Sequence, residues 1–346
     1  MSSTLQAYPD CIKSEKNDFR DKLHRPLRDV RISVTEQCNF YCPHCKPNRK
    51  QKYSCASKNQ LTFNEILRIS KILVTIGIKK VRLTGGEPLL RVGLPKLILG
   101  LKNLGIEDLA LTTNGFLLEN FARLLKKNGL DRITVSLNAL NQNIFQKMTG
   151  TRQSPQAILN AIKTCEQNGF KQIKINVLVK KTINEDEIIP LVKYFRGTGH
   201  ILRFIEYMDV GTENHWDEKD VVSSSKILKS INHFFPVSAL NKNYQGEVAN
   251  RYAYEDGKGE IGFISSVSQP FCQDCHRLRL SSDGKLYNCL FSENSFDIRK
   301  HLHCDDLALS QLIQEMWKQR EDKYSEIRFS SDNKKRNKIE MYKIGG

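Results

Sequence analysis

Residues 30–45 read Val-Arg-Ile-Ser-Val-Thr-Glu-Gln-Cys-Asn-Phe-Tyr-Cys-Pro-His-Cys. Val30–Thr35 is a short β-branched run, the mark of a strand. Directly after it, Cys38, Cys42 and Cys45 form a C-x3-C-x2-C pattern. Three thiols in so short a stretch converge on one metal centre only if the chain loops around it. A structural zinc site closes with four ligands. His44 would have to complete it through a tight turn, because it adjoins Cys45. Three thiolates on a cubane iron–sulfur cluster instead leave one iron free to bind something else. Buried cysteines without a metal are the third alternative.

Outward from this stretch, β-branched or apolar runs recur at Lys80–Thr84, Asp108–Thr113, Arg132–Leu137, Lys171–Val179 and His200–Glu206. Segments of helical period lie between them: Phe63–Ile76, Leu94–Leu104, Leu118–Lys127, Ala157–Asn168 and Glu185–Phe195. Strand followed by helix, about six times, predicts an α/β fold of βα units around a parallel sheet. Sites in such barrels form at the C-terminal strand ends. Those ends carry Thr35 before the cysteines, Thr84-Gly85-Gly86, Thr113-Asn114-Gly115, Ser136, and Arg203 to Met208. Past residue 210 the rhythm fades. The expected divisions are a partly flexible segment at 1–28, the βα region at 29–210, a helix-containing connection at 211–250 and an appended domain at 251–346. The basic stretches Lys46–Lys52 and Lys334–Lys338 read as solvated loops.

The chain has 346 residues, 39% hydrophobic and 27% charged, which fits a globular protein and excludes wholesale disorder. No run approaches the roughly 18 apolar residues of a membrane span. The polar N-terminal residues lack a signal-peptide core, so a cytoplasmic protein is expected. Lys plus Arg number 54 against 38 Asp plus Glu, a net charge of +16 that favours a polyanionic partner. The 10 cysteines do not read as a disulfide framework in a reducing compartment.

Cys272, Cys275 and Cys289 form a second set, C-x2-C-x13-C. Zinc is an equal alternative to iron–sulfur here, with a fourth ligand from His276, His301, His303 or Cys304. Arg277 and Arg279 follow at period-two spacing, which points both to one face of a strand. Two arginines beside a metal set suggest a basic pocket for phosphate or a base edge. Cys11, Cys55, Cys165 and Cys304 stand alone, and Cys165 reads as a small core residue.

Gly85-Gly86-Glu87-Pro88 ends the second strand. Its glycines let the backbone approach a ligand closely, and its proline stiffens the turn. Together with the first cysteine set, it resembles the radical S-adenosylmethionine superfamily. The second set, Cys275-His-Arg-Leu-Arg279, Arg203-Phe-Ile-Glu-Tyr-Met208, Gly262-Phe-Ile-Ser265 and the terminal Gly345-Gly346 narrow the resemblance. From about residue 24 to the end, the chain resembles the GTP 3′,8-cyclase (molybdenum cofactor biosynthesis protein A) family.

The resemblance implies an incomplete TIM-like (β/α)6 barrel with a C-terminal iron–sulfur domain covering its open side. It implies a lyase with two [4Fe-4S] clusters, on Cys38, Cys42 and Cys45 and on Cys272, Cys275 and Cys289, together with S-adenosylmethionine. Gly86, Ser136, Met208 and His44 match cofactor contacts. Arg31, Arg82, Thr113, Lys174, Arg203, Arg277 and Arg279 match the nucleotide site, with the arginine pair essential for substrate. The Gly345-Gly346 tail reaches toward the active site. In the family a 5′-deoxyadenosyl radical abstracts hydrogen from C3′ of GTP, and the carbon radical closes onto C8. The product is (8S)-3′,8-cyclo-7,8-dihydroguanosine 5′-triphosphate, the first intermediate of molybdenum cofactor biosynthesis.

Implied partners are cyclic pyranopterin monophosphate synthase downstream, a flavodoxin or ferredoxin as reductant, and a second copy in a homodimer, with neither membrane nor nucleic acid. The chain departs from the family pattern at His44 (usually Tyr), Lys46 (usually Met) and His276 (usually Asn). Other classes are a divergent radical enzyme with an auxiliary cluster acting on a peptide or another nucleotide, and a zinc-containing nucleic-acid-binding protein.

Overall fold

The six apolar runs form six parallel strands: β1 Asp29–Ser33, β2 Lys80–Thr84, β3 Asp108–Thr113, β4 Arg132–Ser136, β5 Lys174–Val179 and β6 Ile201–Glu206. The computed structural model describes residues 19–46, 59–330 and 338–345. Cys11, Cys55, Gly346 and most of the basic stretches Lys46–Lys52 and Lys334–Lys338 lie outside the described residues, as do residues 1–18 of the segment expected to be flexible. The helices between the strands are α1 Phe63–Ile76, α2 Leu94–Asn103, α3 Leu118–Lys127, α4 Gln142–Thr149, α5 Pro155–Gln167 and α6 Ile188–Phe195.

Local chemistry starts and stops these helices. Thr62 and Glu65 form a reciprocal capping box at α1, and Gly77 ends it in the left-handed conformation that glycine adopts without a Cβ clash. Ile66, Ile69, Ile72 and Leu73 form the buried stripe of α1. Helix α4 escapes a reading by period because it has only two turns; the Asn141 side chain caps it by accepting from the Asn143 and Ile144 N–H groups. Cys165 is fully buried on α5, within the main core.

After β6 come α7 Ser224–Phe234, β7 Val237–Leu240, β8 Asn250–Tyr254, β9 Glu260–Ile264, β10 Arg277–Leu280, β11 Lys285–Tyr287 and β12 Phe296–Asp297. Helices α8 Asp306–Lys318, α9 Tyr324–Ile327 and α10 Met341–Ile344 follow. Among the described residues, the twelve strands join one sheet in the order β12-β11-β10-β1-β2-β3-β4-β5-β6-β9-β8-β7. The βα rhythm does not foreshadow this: β9 adds parallel to β6 and β10 adds parallel to β1. The C-terminal strands therefore extend the partial barrel at both edges.

Period-two alternation sorts the strand residues. On β1, Val30 and Ile32 are buried in the core while Arg31 lines the barrel cavity. The N-terminal residues that are described pack against the C-terminal region: Asp21 and Arg25 are buried, and the Trp317 indole N–H on α8 donates to the Arg25 carbonyl at 3.1 Å. Among the described residues, no helix is long and apolar enough to cross a membrane.

Candidate active site

The loop after β1 carries the first cysteine set. Cys45 and Lys46 donate backbone N–H groups to the Cys42 carbonyl at 3.0 and 2.8 Å, a turn that folds the loop back on itself. Gly86 N–H donates to the Thr35 carbonyl at 2.7 Å and Glu87 N–H to the Gln37 carbonyl at 2.6 Å. A Cβ on Gly86 would overlap the Gln37 carbonyl oxygen. The close approach that the two glycines permit is thus to the cysteine loop's own backbone. The buried Glu87 carboxylate accepts from Thr113 Oγ1 and the Asn114 N–H, both at 2.7 Å, and from the Leu89 N–H at 3.1 Å. Burial outweighs these donors and lifts its pKa to about 7.

Cys38, Cys42 and Cys45 are free, half-buried thiols. Burial pushes Cys38 up to about 11 and Cys45 up to about 12, and raises Cys42 well above the ordinary range. Such thiols become thiolates only beside a strong cation. Among the described residues, no three His, Cys, Asp or Glu side chains group tightly enough for a single metal ion. The donor chemistry fits an iron–sulfur cluster: three unpaired thiols of one loop, each of Cys42 and Cys45 sensing the charge of others in the set. Burial lowers the His44 pKa to about 4, so its ring is neutral. Lys46 departs from the solvated loop expected of it. It is buried, and its Nζ lies 4.9 Å from the Tyr342 ring centroid. At the other basic stretch, Lys338 pairs with Asp209.

The barrel interior holds a lattice of cations. Arg279, Arg31 and Arg82 stand in register across β10, β1 and β2. Arg82 Nη1 donates to Thr112 and Thr134 hydroxyls, each at 3.0 Å, and Arg203 donates to Asn176 Oδ1 at 2.7 and 3.1 Å. Asp108 is engaged bidentately by Arg132. Among the described residues, no ion pair joins Arg31, Arg82, Lys174, Arg203, Arg277 or Arg279 to an acid. Burial first, then neighbouring cations, lowers the pKa of Lys174 to about 7 and of Arg203 and Arg279 to about 9. Arg31 is held well below its ordinary value by burial and then by Arg279, Arg277, Arg82 and Arg203. Uncompensated buried charge of one sign is costly, and an anion in the cavity relieves it.

Thr113 stands apart from the other expected nucleotide-site residues in its contacts. Thr113 turns away from the cavity and donates to Glu87, while Thr112, one residue earlier, lines the cavity beside Arg82. Alternation along β3 is the cause, and it was available as a signal in the sequence. Met208 lines the cavity, and Ser136 ends β4 in register with Asn176. The Gly345 carbonyl accepts from Arg279 Nη1, and a Cβ on Gly345 would overlap the Thr84 side chain.

Cys272, Cys275 and Cys289 line the same cavity as Arg277 and Arg279. Cys272 accepts backbone N–H groups of Ser325 and Glu326, and Cys289 accepts that of Phe291. Burial opposes ionisation of Cys275, but Arg277 and Arg320 overcome it and bring its pKa to about 6. Burial drives Cys289 up to about 12. The candidate fourth zinc ligands are not brought to this set: His301 stacks on Phe296, His303 contacts Cys304, and neither these three nor His276 lines the cavity. Arg25, Asn176, Glu247 and Arg320 also line it. Sequence reasoning missed them because nothing local marks them.

The family model of the Radical SAM superfamily matches residues 32–195, and that of Molybdenum Cofactor Synthesis C matches residues 200–326. GTP 3′,8-cyclase of Xanthomonas axonopodis pv. citri (strain 306) is 48% identical over 331 residues, 95% of this chain and 99% of that protein. The GTP 3′,8-cyclase of Acidothermus cellulolyticus is 44% identical over 90% of this chain and 88% of its own. Among solved structures, Streptococcus suis SuiB bound to S-adenosylmethionine superposes with a TM-score of 0.62 at 15% identity, covering 88% of this chain and 68% of that one. Native anSMEcpe with bound AdoMet gives 0.55 at 16%, covering 80% and 81%. At these identities the structural likeness speaks for the barrel alone. With both halves matched and relatives of nearly half identity along almost its whole length, the chain belongs to the GTP 3′,8-cyclase family of the radical S-adenosylmethionine superfamily.

Proposed function

We propose that this chain is a radical GTP 3′,8-cyclase, a lyase that forms (8S)-3′,8-cyclo-7,8-dihydroguanosine 5′-triphosphate in the first step of molybdenum cofactor biosynthesis. The observation that carries the reading is the cavity itself: six cations without acidic partners among the described residues, sharing their walls with Cys272, Cys275 and Cys289. A triphosphate brings about four negative charges and offers those cations their counter-ions.

In this reading Cys38, Cys42 and Cys45 hold one [4Fe-4S] cluster, and Cys272, Cys275 and Cys289 hold a second. When bound, the first cluster and S-adenosylmethionine supply one-electron reductive cleavage that yields a carbon-centred radical. Gly86, Ser136, Met208 and the neutral His44 ring hold the cofactor. Arg31, Arg82, Thr112, Lys174 and Arg203 bind the triphosphate and ribose, and Arg277 and Arg279 position the base end against the second set. Fixing the ribose and base in one geometry is the protein's main contribution to the ring closure. The C-terminal tail is held by Arg279, which donates to the Gly345 carbonyl. Barrel residues 29–210, the connection at 211–250 and residues 251–346 supply one shared site. A cytoplasmic setting, a flavodoxin or ferredoxin donor, cyclic pyranopterin monophosphate synthase as consumer and a homodimer belong to the same reading.

The test is anaerobic reconstitution followed by incubation with S-adenosylmethionine, dithionite and GTP. The expected result is 5′-deoxyadenosine formed together with the cyclised nucleotide, in a GTP-dependent manner. Formation of 5′-deoxyadenosine that ignores GTP, with no cyclised product, would overturn the assignment.

A further inference from the structure

The second cysteine set is gripped from behind by residues that the cyclisation chemistry does not use. Asp21 is fully buried and binds two arginines: Arg25 Nε at 2.6 Å and Arg320 Nη1 at 3.4 Å. Its other oxygen accepts the backbone N–H groups of Leu23 and Arg25, which leaves the carboxylate no freedom to turn. Arg25 Nη1 then donates to the Cys272 carbonyl at 2.9 Å, and Arg320 Nη1 donates to the Cys275 carbonyl at 2.7 Å. An Arg320 N–H also reaches the Cys275 sulfur. The Trp317 ring lies 4.5 Å from the Arg320 guanidinium, and its indole N–H fastens the Arg25 carbonyl.

Two buried donors of this clamp have no hydrogen-bond partner among the described residues, Arg320 Nε and Arg25 Nη2. Arg320 Nε has Asp322 Oδ2 at 3.5 Å, whereas no ion pair is found for Arg25 Nη2 among those residues. Arg25 is 1% exposed and lines the cavity beside the cysteines, yet its Nη2 has no hydrogen-bond partner among the described residues. Every other polar atom of that guanidinium is engaged, by Asp21 and by the Cys272 and Asp322 carbonyls. A buried donor left without an acceptor is costly, and a fork held this firmly has no way to swing toward one.

We infer that Arg25, locked by Asp21 and seconded by Arg320, is a positioning residue for the group bound at Cys272, Cys275 and Cys289, and that its free Nη2 donates to a sulfide of an iron–sulfur cluster there. This rests on the second-cluster reading above. A hydrogen bond from a buried cation to a cluster sulfur stabilises the reduced, more negative state and raises the reduction potential. The clamp therefore sets the electronic character of the second cluster and fixes the two cysteines that flank it.

The experiment uses the full chain with Cys38, Cys42 and Cys45 all replaced by Ala, so that iron reports on the second set alone. Four irons per chain after anaerobic reconstitution support the second-cluster reading. A chain that takes up zinc or no iron defeats that reading whatever Arg25 does. In the iron-loaded background, Arg25→Gln is expected to keep its iron while the midpoint potential moves to more negative values and the reduced cluster's EPR spectrum changes. Arg25→Lys, which keeps the charge but not the fork, is expected to shift both the same way by less. Unchanged potential and spectrum in both variants overturn the inference. If Arg25→Gln does not fold, Arg25→Lys carries the test alone, and an unchanged potential in it is decisive against the inference.

Discussion

Arg31 on β1 and Arg279 on β10 are register partners in a parallel strand pair, so a half-buried and a buried guanidinium from opposite ends of the chain stand side by side. Arg82 continues the row on β2. Such a row is unfavourable in the empty protein and favourable only with an anion present. Arg31→Gln should therefore raise the thermal stability of the substrate-free enzyme, by about 1 kcal/mol, in line with the gain often seen when buried uncompensated charge is removed. The same change should raise the KM for GTP ~10–100-fold, the loss of one charge-assisted hydrogen bond. Melting curves without ligand and GTP kinetics check the two signs together. A fall in both stability and affinity would make Arg31 a structural residue.

Lys174 makes the cavity sensitive to pH. Burial, then Arg203, Arg132 and Arg82, lower its folded-state pKa to about 7, against an ordinary 10.5. Between those values the unfolded chain binds a proton that the folded chain lacks. Stability therefore rises as pH climbs through this window, and the gain is lost as pH falls toward 7. The substrate-free protein should melt higher near pH ~9 than near pH ~7, and Lys174→Met should flatten that slope. A triphosphate restores the charged lysine, so GTP binding near pH ~8 should take up a proton, read by calorimetry in buffers of different ionisation enthalpy. Equal slopes in the parent protein and in Lys174→Met would contradict this account.

Much of this site is legible in the sequence, because its chemistry lies at strand ends that follow one another at regular intervals. Val30–Thr35 announces β1, and the cysteines after it announce the loop. Arg277 and Arg279 declare a shared face through their spacing alone, and β10 carries both to the cavity. Other residues were out of reach for physical reasons. The parallel pairing of β10 with β1 joins segments with no local relation. Arg25 and Arg320 meet through Asp21 only once the N-terminal segment packs against the end of α8. Lys46 reads as one charge of a basic loop until Tyr342 is folded over it.

Thr112 and Thr113 offer a matched pair of tests, since adjacent strand residues face opposite ways. Thr112→Val removes one of the two hydroxyls that orient Arg82. It should raise the KM for GTP by ~3–10-fold, about 1 kcal/mol, and leave cofactor binding unchanged. Thr113→Val removes a donor to the buried Glu87 and should cost about 1–2 kcal/mol of stability. It should weaken S-adenosylmethionine binding and spare the KM for GTP. The reverse pattern would return Thr113 to the nucleotide site.

Gly86→Ala tests the join between the second strand end and the first cysteine loop. The added methyl overlaps the Gln37 carbonyl oxygen, which is backbone and cannot rotate aside. The loop must move, and the hydrogen bonds of Gly86 and Glu87 to it must stretch. Reconstituted Gly86→Ala should therefore lose the iron of the first set while keeping that of the second, about four irons per chain in place of eight in the two-cluster reading. Full iron loading would show that this join does not govern the cysteine geometry.

The last prediction concerns Lys46. Its Nζ sits over the Tyr342 ring of the C-terminal helix α10, and the Tyr342 backbone N–H reaches Cys45. The other end of that segment is tied separately, by Thr212 N–H donating to Glu340 Oε1 at 2.8 Å. A partly desolvated cation–aromatic contact contributes ~0.5–2 kcal/mol. Lys46→Met should therefore loosen the tail without releasing it. Amides of residues 341–345 should exchange faster with deuterium, by roughly 2–30-fold for that range of energies, while those near Glu340 change little. The exchange contrast is the informative part. Uniform acceleration from 338 to 345 would mean that Lys46 supports the whole segment, and unchanged exchange at 341–345 would mean that the ring contact holds nothing.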